Sequence, residues 1–474
     1  MRLPPPPTFD TLSERYGTRY KWLLLIVVGI GTVAGVLSTS SFNVAVAALS
    51  RDFGLGQERV QWAMTGFMAA MTLSMLPAPW LLDRIGFRRV FLSAVLVLAI
   101  TSVAGSLAGS FGFVVLVRVL QGAATGILQP LSMLVVIRLF PANVQGRASG
   151  ILTLGLALTP AVAPAFGGVL VDKFGWQAIF LLNLPFCLIA LVLGLFLLPL
   201  PREIKKHRFD WLGAFLLSSA TLSIVEGVAS LQHSGLFATW TLGHLALALS
   251  LAVVFVFHAK RSKLPIISPG LFRHRTFTMG TIVSFTYGFG LYGSTYLIPV
   301  FLQNALGYSA TAAGSALIPG GLALAMTTPI AGRMADHYPP RTVAIIGLLL
   351  FSVSFFIFAE LGGRITYLEL LMATIVGRIG LGLILPALNL ATLRHLEPHH
   401  LAQSSVVVSY MRQLGGVLGI AAIAVFVEWR ESLYQAKPLG VFSAYSQGFF
   451  LLGMIVLSAI VAACLMKHST ATPK

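Results

Sequence analysis

The sequence has 474 residues, of which 57% are hydrophobic and 10% charged, and its mean hydropathy is +0.87. Soluble domains carry about 25% charged residues, so this composition excludes a soluble fold and predicts an all-α polytopic membrane protein whose surroundings are the lipid bilayer. The net charge of +17 would indicate a nucleic-acid partner only if the basic residues formed one patch, which their positions in the sequence exclude.

Fourteen apolar windows are long enough to cross a bilayer, since a spanning helix needs about 20 mostly apolar residues. In chain order they cover residues 22–48, 60–82, 88–108, 112–139, 148–171, 178–198, 211–231, 240–258, 277–302, 311–332, 342–360, 367–392, 404–428 and 445–466.

The basic residues lie in short clusters between these windows, and most of the 32 lysines and arginines fall in every second loop. The positive-inside rule assigns such loops to the cytoplasm. We therefore expect a multi-pass protein of the cytoplasmic (inner) membrane with both termini in the cytoplasm and no nucleic-acid partner.

Basic segments around residues 199–210 and 260–275 separate the windows into groups of six, two and six. The grouping predicts three parts: an N-terminal six-helix bundle at 1–200, a linker with two inserted helices at 201–270, and a C-terminal six-helix bundle at 271–474. Helices 4 and 12 repeat one pattern, Arg118-x-x-x-Gly122 and Arg378-x-x-x-Gly382. Parallel repeats of this kind place a substrate site between the halves, near the middle of the membrane, and we expect the inserted pair to pack outside them.

Several motifs carry a resemblance to a known family. The stretch Leu81-Leu82-Asp83-Arg84-Ile85-Gly86-Phe87-Arg88-Arg89 is similar to the signature between helices 2 and 3 of the major facilitator superfamily. Arg118-Val119-Leu120-Gln121-Gly122 is similar to its helix 4 signature, and Ala163-Pro164-Ala165-Phe166-Gly167-Gly168 to the antiporter signature of helix 5. Within the superfamily the chain resembles the fourteen-helix drug:proton antiporter branch, over about residues 21–466.

The resemblance implies the major facilitator fold, with two six-helix bundles, two inserted helices and fourteen spans in total. It also implies a secondary active transporter that exports small amphipathic or drug-like molecules by alternating access, with protons as the coupling ion. One position departs from the branch, which normally has an aspartate in helix 1 that is implicated in proton coupling. Here that position is Ser38, which puts the coupling mechanism in doubt.

The charged turn after helix 2 is a candidate gate, because a carboxylate at a helix end can bind neighbouring helix ends and cations in one conformation only. Its members are Asp83, Arg84, Gly86 and Arg88, and the second half offers Asp336 and Arg341 as a counterpart. The alternative is ordinary positive-inside topology with a helix cap.

Arg118 lies inside helix 4, where a buried cation costs a few kcal/mol unless it is paired or faces water. We expect it to face the central cavity with Gln121; the alternative is an interhelical bond to a carbonyl or to Gln121 itself. The same reasoning applies to Arg378 and Arg412. Their alternative is a side chain that extends toward the interface between membrane and water. Further candidates for a cavity lining are polar and aromatic, and ordinary helix packing is their alternative role: Ser38, Asn43, Thr159, Tyr287, Tyr292, Tyr296, Gln303 and Asn389.

Glu226 is the remaining carboxylate clearly inside an apolar window, so it is the candidate for proton coupling, because burial favours a neutral carboxyl group. A structural interhelical bond is the alternative, since Glu226 lies on the inserted pair.

The sequence has no phosphate-cradling glycine loop, zinc cluster or nucleophile elbow, so we expect no enzyme activity, no cofactor and no metal site. We expect a monomer that acts on a small-molecule substrate. Two other functions stay open: a facilitator or importer of a specific metabolite without proton coupling, and a non-transporting membrane sensor or scaffold.

Overall fold

The structure, a computed structural model, describes residues 8–55, 57–200, 208–235, 237–308, 310–362, 365–394, 396–397, 400–434 and 440–466. Within these ranges the chain is helical and contains no strand, as the composition predicts. An α-helix satisfies all of its own backbone hydrogen bonds, which a segment in hydrocarbon requires.

Seventeen α-helices follow one another along the described chain. They are α1 Phe9–Tyr16, α2 Tyr20–Ser41, α3 Val46–Phe53, α4 Gln57–Ser74, α5 Ala78–Ile85, α6 Phe87–Ser106, α7 Phe111–Leu139, α8 Gln145–Phe174, α9 Leu184–Leu197, α10 Trp211–Ser234, α11 Thr239–Arg261, α12 Arg275–Val300, α13 Ala310–His337, α14 Pro340–Leu361, α15 Tyr367–Leu393, α16 Leu401–Tyr434 and α17 Gly440–Leu465. Every predicted apolar window overlaps one of these helices or two that follow one another along the chain.

Eleven helices of the described chain are long and apolar enough to cross a membrane, and a bent pair raises this number to twelve. The pair consists of Trp62–Ser74 and Ala78–Ile85, which meet at 54°. Two further helices, α8 and α12, are 30 and 26 residues long but do not belong to this set, and α12 carries many Ser, Thr, Gly and Tyr residues. The predicted count of fourteen spans stays a prediction.

The first predicted window, residues 22–48, is not one straight helix. A 3-10 turn at Phe42–Ala45 separates α2 from α3, and Gly54, in the left-handed conformation with φ of 62°, ends α3. The short helix α1, which the sequence analysis did not predict, precedes α2; the Thr8 side chain caps it by accepting from the Thr11 backbone N–H.

The chain divides into two compact units. Unit 1 comprises Met1–Pro141, Ile151–Phe209 and Leu401–Val406, and unit 2 comprises Ala142–Gly150, Asp210–His400 and Val407–Lys474. The predicted inserted helices α10 and α11 belong to unit 2, and residues 201–207 of the predicted linker lie outside the described chain. The division into three parts stays a prediction.

In unit 1, aromatic side chains of different helices form a packed core. Phe42, Phe180 and Trp176 pack edge to face or tilted against one another and against Phe53. The indole Nε1 of Trp176 donates to Asp52 Oδ2 at 2.7 Å, which satisfies the polar edge of a buried ring.

In unit 2, an aromatic core joins α12, α14 and α17, where Phe351, Phe358 and Phe449 are buried. Helix α10 is tied to α16 by a hydrogen bond between Thr221 and Tyr410, and to α11 by Ser230 Oγ and Thr241 Oγ1 at 3.0 Å.

Helices α12 and α16 approach so closely that glycine is required where they meet. A Cβ atom at Gly415 would lie 2.0 Å from the Phe285 carbonyl oxygen, and one at Gly288 would lie 1.9 Å from that of Arg412. The contact is between backbones, which cannot yield as a flexible side chain does.

We therefore predict that Gly415→Ala lowers the midpoint of thermal unfolding in detergent. Overpacking at this contact should reduce the free energy of unfolding by about 1–3 kcal/mol. Gly314→Ala on α13 is the matched control, because a Cβ there meets nothing within 4 Å. Alanine at 314 should leave the midpoint unchanged or raise it, since alanine is the better helix former. Equal midpoints for the two variants would contradict this account of the α12–α16 contact.

Candidate functional site

In unit 1, Arg118 of α7 is 2% exposed and reaches across to α2. Its Nη1 donates to the backbone oxygen of Ser38 at 2.9 Å and contacts Ser38 Oγ at 3.2 Å and Gln121 Oε1 at 3.2 Å. The Ser38 hydroxyl in turn donates to Gln121 Oε1 at 3.0 Å. One guanidinium nitrogen thus joins three oxygen acceptors, and none of them is a carboxylate.

Two phenylalanine rings hold the flat faces of the same guanidinium. The Arg118 Cζ lies 4.2 Å from the ring centroid of Phe42 and 4.0 Å from that of Phe67. Helix α4 brings Phe67 so close to α7 that a Cβ at Gly122 would lie 2.2 Å from the Phe67 oxygen. The helix 4 signature therefore supplies both the cation and the glycine that lets an aromatic face cover it.

The polar network extends from Gln121 to a third and a fourth helix segment. Gln121 Nε2 donates to Ser102 Oγ at 3.3 Å, and Ser102 Oγ lies 2.8 Å from Asn183 Oδ1. The structure thus shows the interhelical bonds that the sequence analysis offered as the alternative role of Arg118. Whether Arg118 and Gln121 also act on a substrate stays a prediction.

In unit 2, two of the three predicted tyrosines, Tyr287 and Tyr292, lie within electrostatic range of interior arginines. Tyr287 is 4% exposed and acts electrostatically on both Arg378 and Arg412. Tyr292 also acts on Arg412, and its hydroxyl donates to Gln413 Oε1 at 3.3 Å. Arg378 further lines a small cavity between α12, α14 and α15.

The other predicted cavity residues make different contacts. Thr159 is buried and donates to its own helix at Gly155 O, and Asn389 is buried on α15. Tyr296 lies within electrostatic range of Glu428 and Glu431. Gln303 is exposed and donates to Pro299 O within its own turn. The side chains of Asn43, Pro164 and Ala165 lie outside the described part of the structure.

Of the gate candidates, Asp336 makes the most specific contacts. Its Oδ1 accepts from the Gly146 backbone N–H at 2.6 Å, its Oδ2 accepts from the Arg147 N–H at 2.7 Å, and Arg394 Nη2 lies 3.8 Å away. All of these residues belong to unit 2. A carboxylate from α13 therefore caps the N-terminus of α8, where unpaired N–H groups and the helix dipole favour negative charge.

Arg394 supports this cap from the end of α15. It donates to Ala142 O at 2.7 Å and to Gln145 Oε1 at 3.4 Å, just before and at the start of α8. Burial lowers the pKa of the Arg394 guanidinium, whereas the Asp336 carboxylate acts in the opposite direction. Arg394 and Ala142 are partners that the sequence analysis missed, because no motif includes them.

Arg88 and Arg341 make equivalent contacts in the two units. Arg88 donates to the carbonyl oxygens of Leu195 at 2.7 Å and Leu198 at 3.0 Å, at the C-terminus of α9. Arg341 donates to those of Cys464 at 3.2 Å and Met466 at 2.8 Å, at the C-terminus of α17. In each case an arginine at the start of one helix binds carbonyls at the end of another, where the helix dipole favours positive charge.

The remaining members of the charged turn lie on α5 and its end. Arg84 is exposed and stacks over Trp80, with 5.4 Å between Cζ and the ring centroid. Gly86 ends α5 with a φ of 82°. Asp83 lies within electrostatic range of Arg138 on α7. Glu226, the proton-coupling candidate, is partly buried on α10.

The sequence matches the family model described as Major Facilitator Superfamily over residues 28–420 and 280–473. It is 32% identical to the multidrug resistance protein B homolog of Mycobacterium tuberculosis over 426 residues, which are 88% of this chain and 79% of that protein. It is 30% identical to the tetracenomycin C resistance and export protein of Streptomyces glaucescens over 418 residues, which are 86% of this chain and 76% of that protein.

Among solved structures, the fold is similar to that of the human organic anion transporter MFSD10, with a TM-score of 0.64 at 16% identity over 92% of this chain and 99% of that one. It is also similar to that of the proton:xylose symporter XylE, with a TM-score of 0.64 at 14% identity. The similarity covers 94% of this chain and 97% of that one. At these identities the similarity shows the fold alone.

The contacts of Arg88 predict that Arg88→Gln lowers the thermal unfolding midpoint in detergent. The free energy of unfolding should fall by about 1–2 kcal/mol, because the α9 carbonyls lose their charged donors. The neighbouring Arg89 is exposed, so Arg89→Gln is a control of the same charge on the same helix. If both variants unfold at one temperature, the carbonyl contacts of Arg88 do not stabilise the fold.

Proposed function

The chain belongs to the major facilitator superfamily of membrane transporters, and from this premise we propose that it exports small amphipathic or drug-like molecules by alternating access. The observation that carries the proposal is the similarity to multidrug-resistance and export proteins over most of both sequences. Protons are the proposed coupling ion. The protein acts as a monomer in the cytoplasmic membrane, with both termini in the cytoplasm.

The interior polar groups support a transport role. Charged side chains inside apolar helices are costly and mark substrate or ion pathways when their charge is not used for packing. The described structure has Arg378 and Arg412 in this position, beside Tyr287 and Tyr292. Aromatic faces next to a few polar groups suit amphipathic molecules, because the rings accept varied shapes while the polar groups orient them.

The Asp336 cap supports a gating role. It links the first turn of α8, from the first half of the sequence, to α13, from the second half. Three glycines make this close approach feasible: a Cβ at Gly146 would lie 2.1 Å from the Gly332 oxygen, and one at Gly332 would lie 2.8 Å from the Cα of Gly150. Under alternating access the cap forms in one state and opens in the other. Asp83, Arg84, Gly86, Arg88 and Arg341 are the proposed supporting residues of the gate.

One observation favours a facilitator without proton coupling as the second candidate. Ser38 cannot exchange a proton, and among the described residues the hydrogen-bond acceptors of Arg118 are a carbonyl, a hydroxyl and an amide oxygen. If coupling exists, Glu226 is the proposed proton carrier, because it is the carboxyl group on the inserted pair within the apolar part of α10.

The proposal predicts dye transport by the purified protein in proteoliposomes. Ethidium, fluorescein and a neutral coumarin provide aromatic probes of three charges. An acidic lumen should drive the uptake of at least one dye above the level of protein-free vesicles, because protons leave as the substrate enters, and a protonophore should abolish this excess. Protein-dependent uptake at the same rate with and without the proton gradient would support the second candidate, a facilitator without proton coupling. Absence of protein-dependent uptake of all three would favour a sensor or scaffold.

For the dye that accumulates, Glu226→Gln should abolish gradient-driven accumulation and preserve binding, because the amide keeps the shape of the side chain but cannot carry the proton. Glu360→Gln is the control, since Glu360 is exposed at the end of α14. Normal accumulation by Glu226→Gln would assign Glu226 a structural role and leave coupling to another group.

The gate predicts that Asp336→Asn slows dye uptake by about tenfold, because an amide offers one acceptor and one donor to two N–H groups and thereby destabilises the capped state. Asp172→Asn is the control on the same helix, because Asp172 is exposed near the C-terminus of α8. A variant that unfolds at a lower temperature but transports at the parent rate would reduce the cap to a structural role.

A further inference from the structure

Five basic side chains are exposed between residues 260 and 275, where the inserted helix α11 leads into α12. Lys260 and Arg261 end α11, Lys263 follows them, Arg273 ends a 3-10 turn and Arg275 begins α12. Among the residues that the structure describes, none of these five side chains makes a hydrogen bond or an ion pair. Their charged donors therefore face the surroundings of the protein.

Asp210, the N-cap of α10, is the carboxylate that this segment contacts, and its oxygens are already occupied. Its Oδ1 accepts from the Gly213 backbone N–H at 2.9 Å and lies 2.7 Å from His258 Nε2. Its Oδ2 accepts from the Ile266 backbone N–H at 3.1 Å, and the side chain is 6% exposed. Residues 227–335 include no aspartate or glutamate. Acidic neighbours along the chain therefore do not balance the five cations.

The same Asp210 contacts hold the basic segment in place. They join the start of α10 to the last turn of α11 through His258, and to the segment after α11 through Ile266. The Ser262 N–H donates to the His258 oxygen at 2.8 Å at the end of α11, and α11 also contacts the 3-10 turn Pro269–Arg273. The five basic side chains consequently lie at the same end of the inserted pair, in unit 2.

Large apolar side chains are exposed next to these cations. Trp211, one residue after Asp210, is 74% exposed, and Phe257, Leu264 and Phe272 are exposed as well. Tryptophan rings and long basic side chains are typical of the level at which a membrane meets water, because each has an apolar part and a polar end. This end of the inserted pair therefore offers apolar contacts and positive charge side by side.

Arginines at other helix ends are arranged differently. Arg88 and Arg341 bind carbonyl oxygens at the ends of α9 and α17, and Arg394 binds a carbonyl oxygen beside the Asp336 carboxylate. The charges of those arginines thus serve contacts within the protein. The five cations of residues 260–275 have no such contacts in the described structure, so they are available to a partner of negative charge.

We infer that residues 260–275, with Trp211 and Phe257 beside them, form a docking surface for acidic phospholipids of the membrane in which the protein lies. The inference goes beyond the proposed transport function and does not depend on it. A headgroup phosphate accepts from arginine and lysine, and the acyl chains cover the exposed apolar side chains. A soluble anion or a nucleic acid would bind the cations and leave those apolar side chains uncovered. A zwitterionic headgroup brings a cation of its own, which the basic segment repels.

Native mass spectrometry of the purified protein counts bound lipid molecules and compares two lipids with the same acyl chains, dioleoylphosphatidylglycerol and dioleoylphosphatidylcholine. The unaltered protein should bind the acidic lipid about tenfold more tightly or better, because the phosphatidylglycerol headgroup carries a net negative charge. This comparison does not depend on the folding of any variant. Equal affinities for the two lipids would overturn the inference.

Substitutions locate the docking surface. The triple variant Lys260→Gln, Arg261→Gln, Lys263→Gln should lower the affinity for phosphatidylglycerol by about tenfold or more and leave that for phosphatidylcholine unchanged. The reason is that each cation near a lipid surface adds about a factor of five. Its thermal unfolding midpoint should equal that of the parent, since the three side chains bind no described group, so a loss of lipid cannot come from unfolding. Parent-like phosphatidylglycerol binding by this variant would overturn the inference.

The triple variant Arg15→Gln, Arg19→Gln, Arg89→Gln is the matched control. It removes the same charge from exposed residues of unit 1, so it should bind phosphatidylglycerol as the parent does. Equal losses of affinity in the two triple variants would mean that the net charge of the protein attracts the lipid without a defined surface, which would contradict the inference.

A soluble anion distinguishes the lipid from free phosphate. Ammonium phosphate and ammonium acetate at the same ionic strength should weaken phosphatidylglycerol binding equally, because both salts screen the charges. Displacement of the lipid by phosphate, at an ionic strength at which acetate has no effect, would assign these cations to a soluble phosphate group and overturn the lipid docking.

Discussion

A positive charge inside an apolar helix bundle must be balanced locally, and this requirement explains much of the local structure around Arg118. Water cannot solvate the guanidinium in the packed interior, so oxygen acceptors and aromatic faces have to replace it. The Ser38 carbonyl and the Gln121 amide provide the acceptors, and Phe42 and Phe67 provide the faces. These contacts hold α2 and α4 close to α7. Glycine is required at position 122 of α7, because any Cβ there would collide with the Phe67 carbonyl oxygen.

The same principle acts at the helix ends with both signs of charge. The C-terminal carbonyls of α9 and α17 carry partial negative charge, which Arg88 and Arg341 neutralise, while the first N–H groups of α8 carry partial positive charge, which Asp336 neutralises. Charged residues at the helix ends therefore have two roles. They orient the chain across the membrane by their number, and they join helices by their contacts.

The sequence predicted the helices well, because apolar windows of the required length have one stable conformation in hydrocarbon. It singled out Arg118, Gln121 and Tyr287 because polar groups in such windows need a reason, and Asp336 because it resembles the charged turn after helix 2. It could not predict their partners: the acceptors of Arg88 are backbone carbonyls, which every residue has, and Asp336 binds backbone N–H groups of α8. The short helix α1 escaped prediction because its sequence is polar and its apolar content is too small for a window.

The replacement of an aspartate by Ser38 acquires a physical meaning from these contacts. A carboxylate at this position would be an ion-pair partner for Arg118; with serine, the Ser38 carbonyl and hydroxyl, the Gln121 amide and the two rings surround the cation. The acceptors of the Arg118 Nη1 are therefore a carbonyl, a hydroxyl and an amide oxygen, and none of them can titrate. In unit 2, the hydroxyls of Tyr287 and Tyr292 lie within electrostatic range of the interior arginines Arg378 and Arg412. The two interior sites thus differ in their contacts: Arg118 contacts a carbonyl, a hydroxyl and an amide and lies against two rings, whereas tyrosine hydroxyls lie within electrostatic range of Arg378 and Arg412.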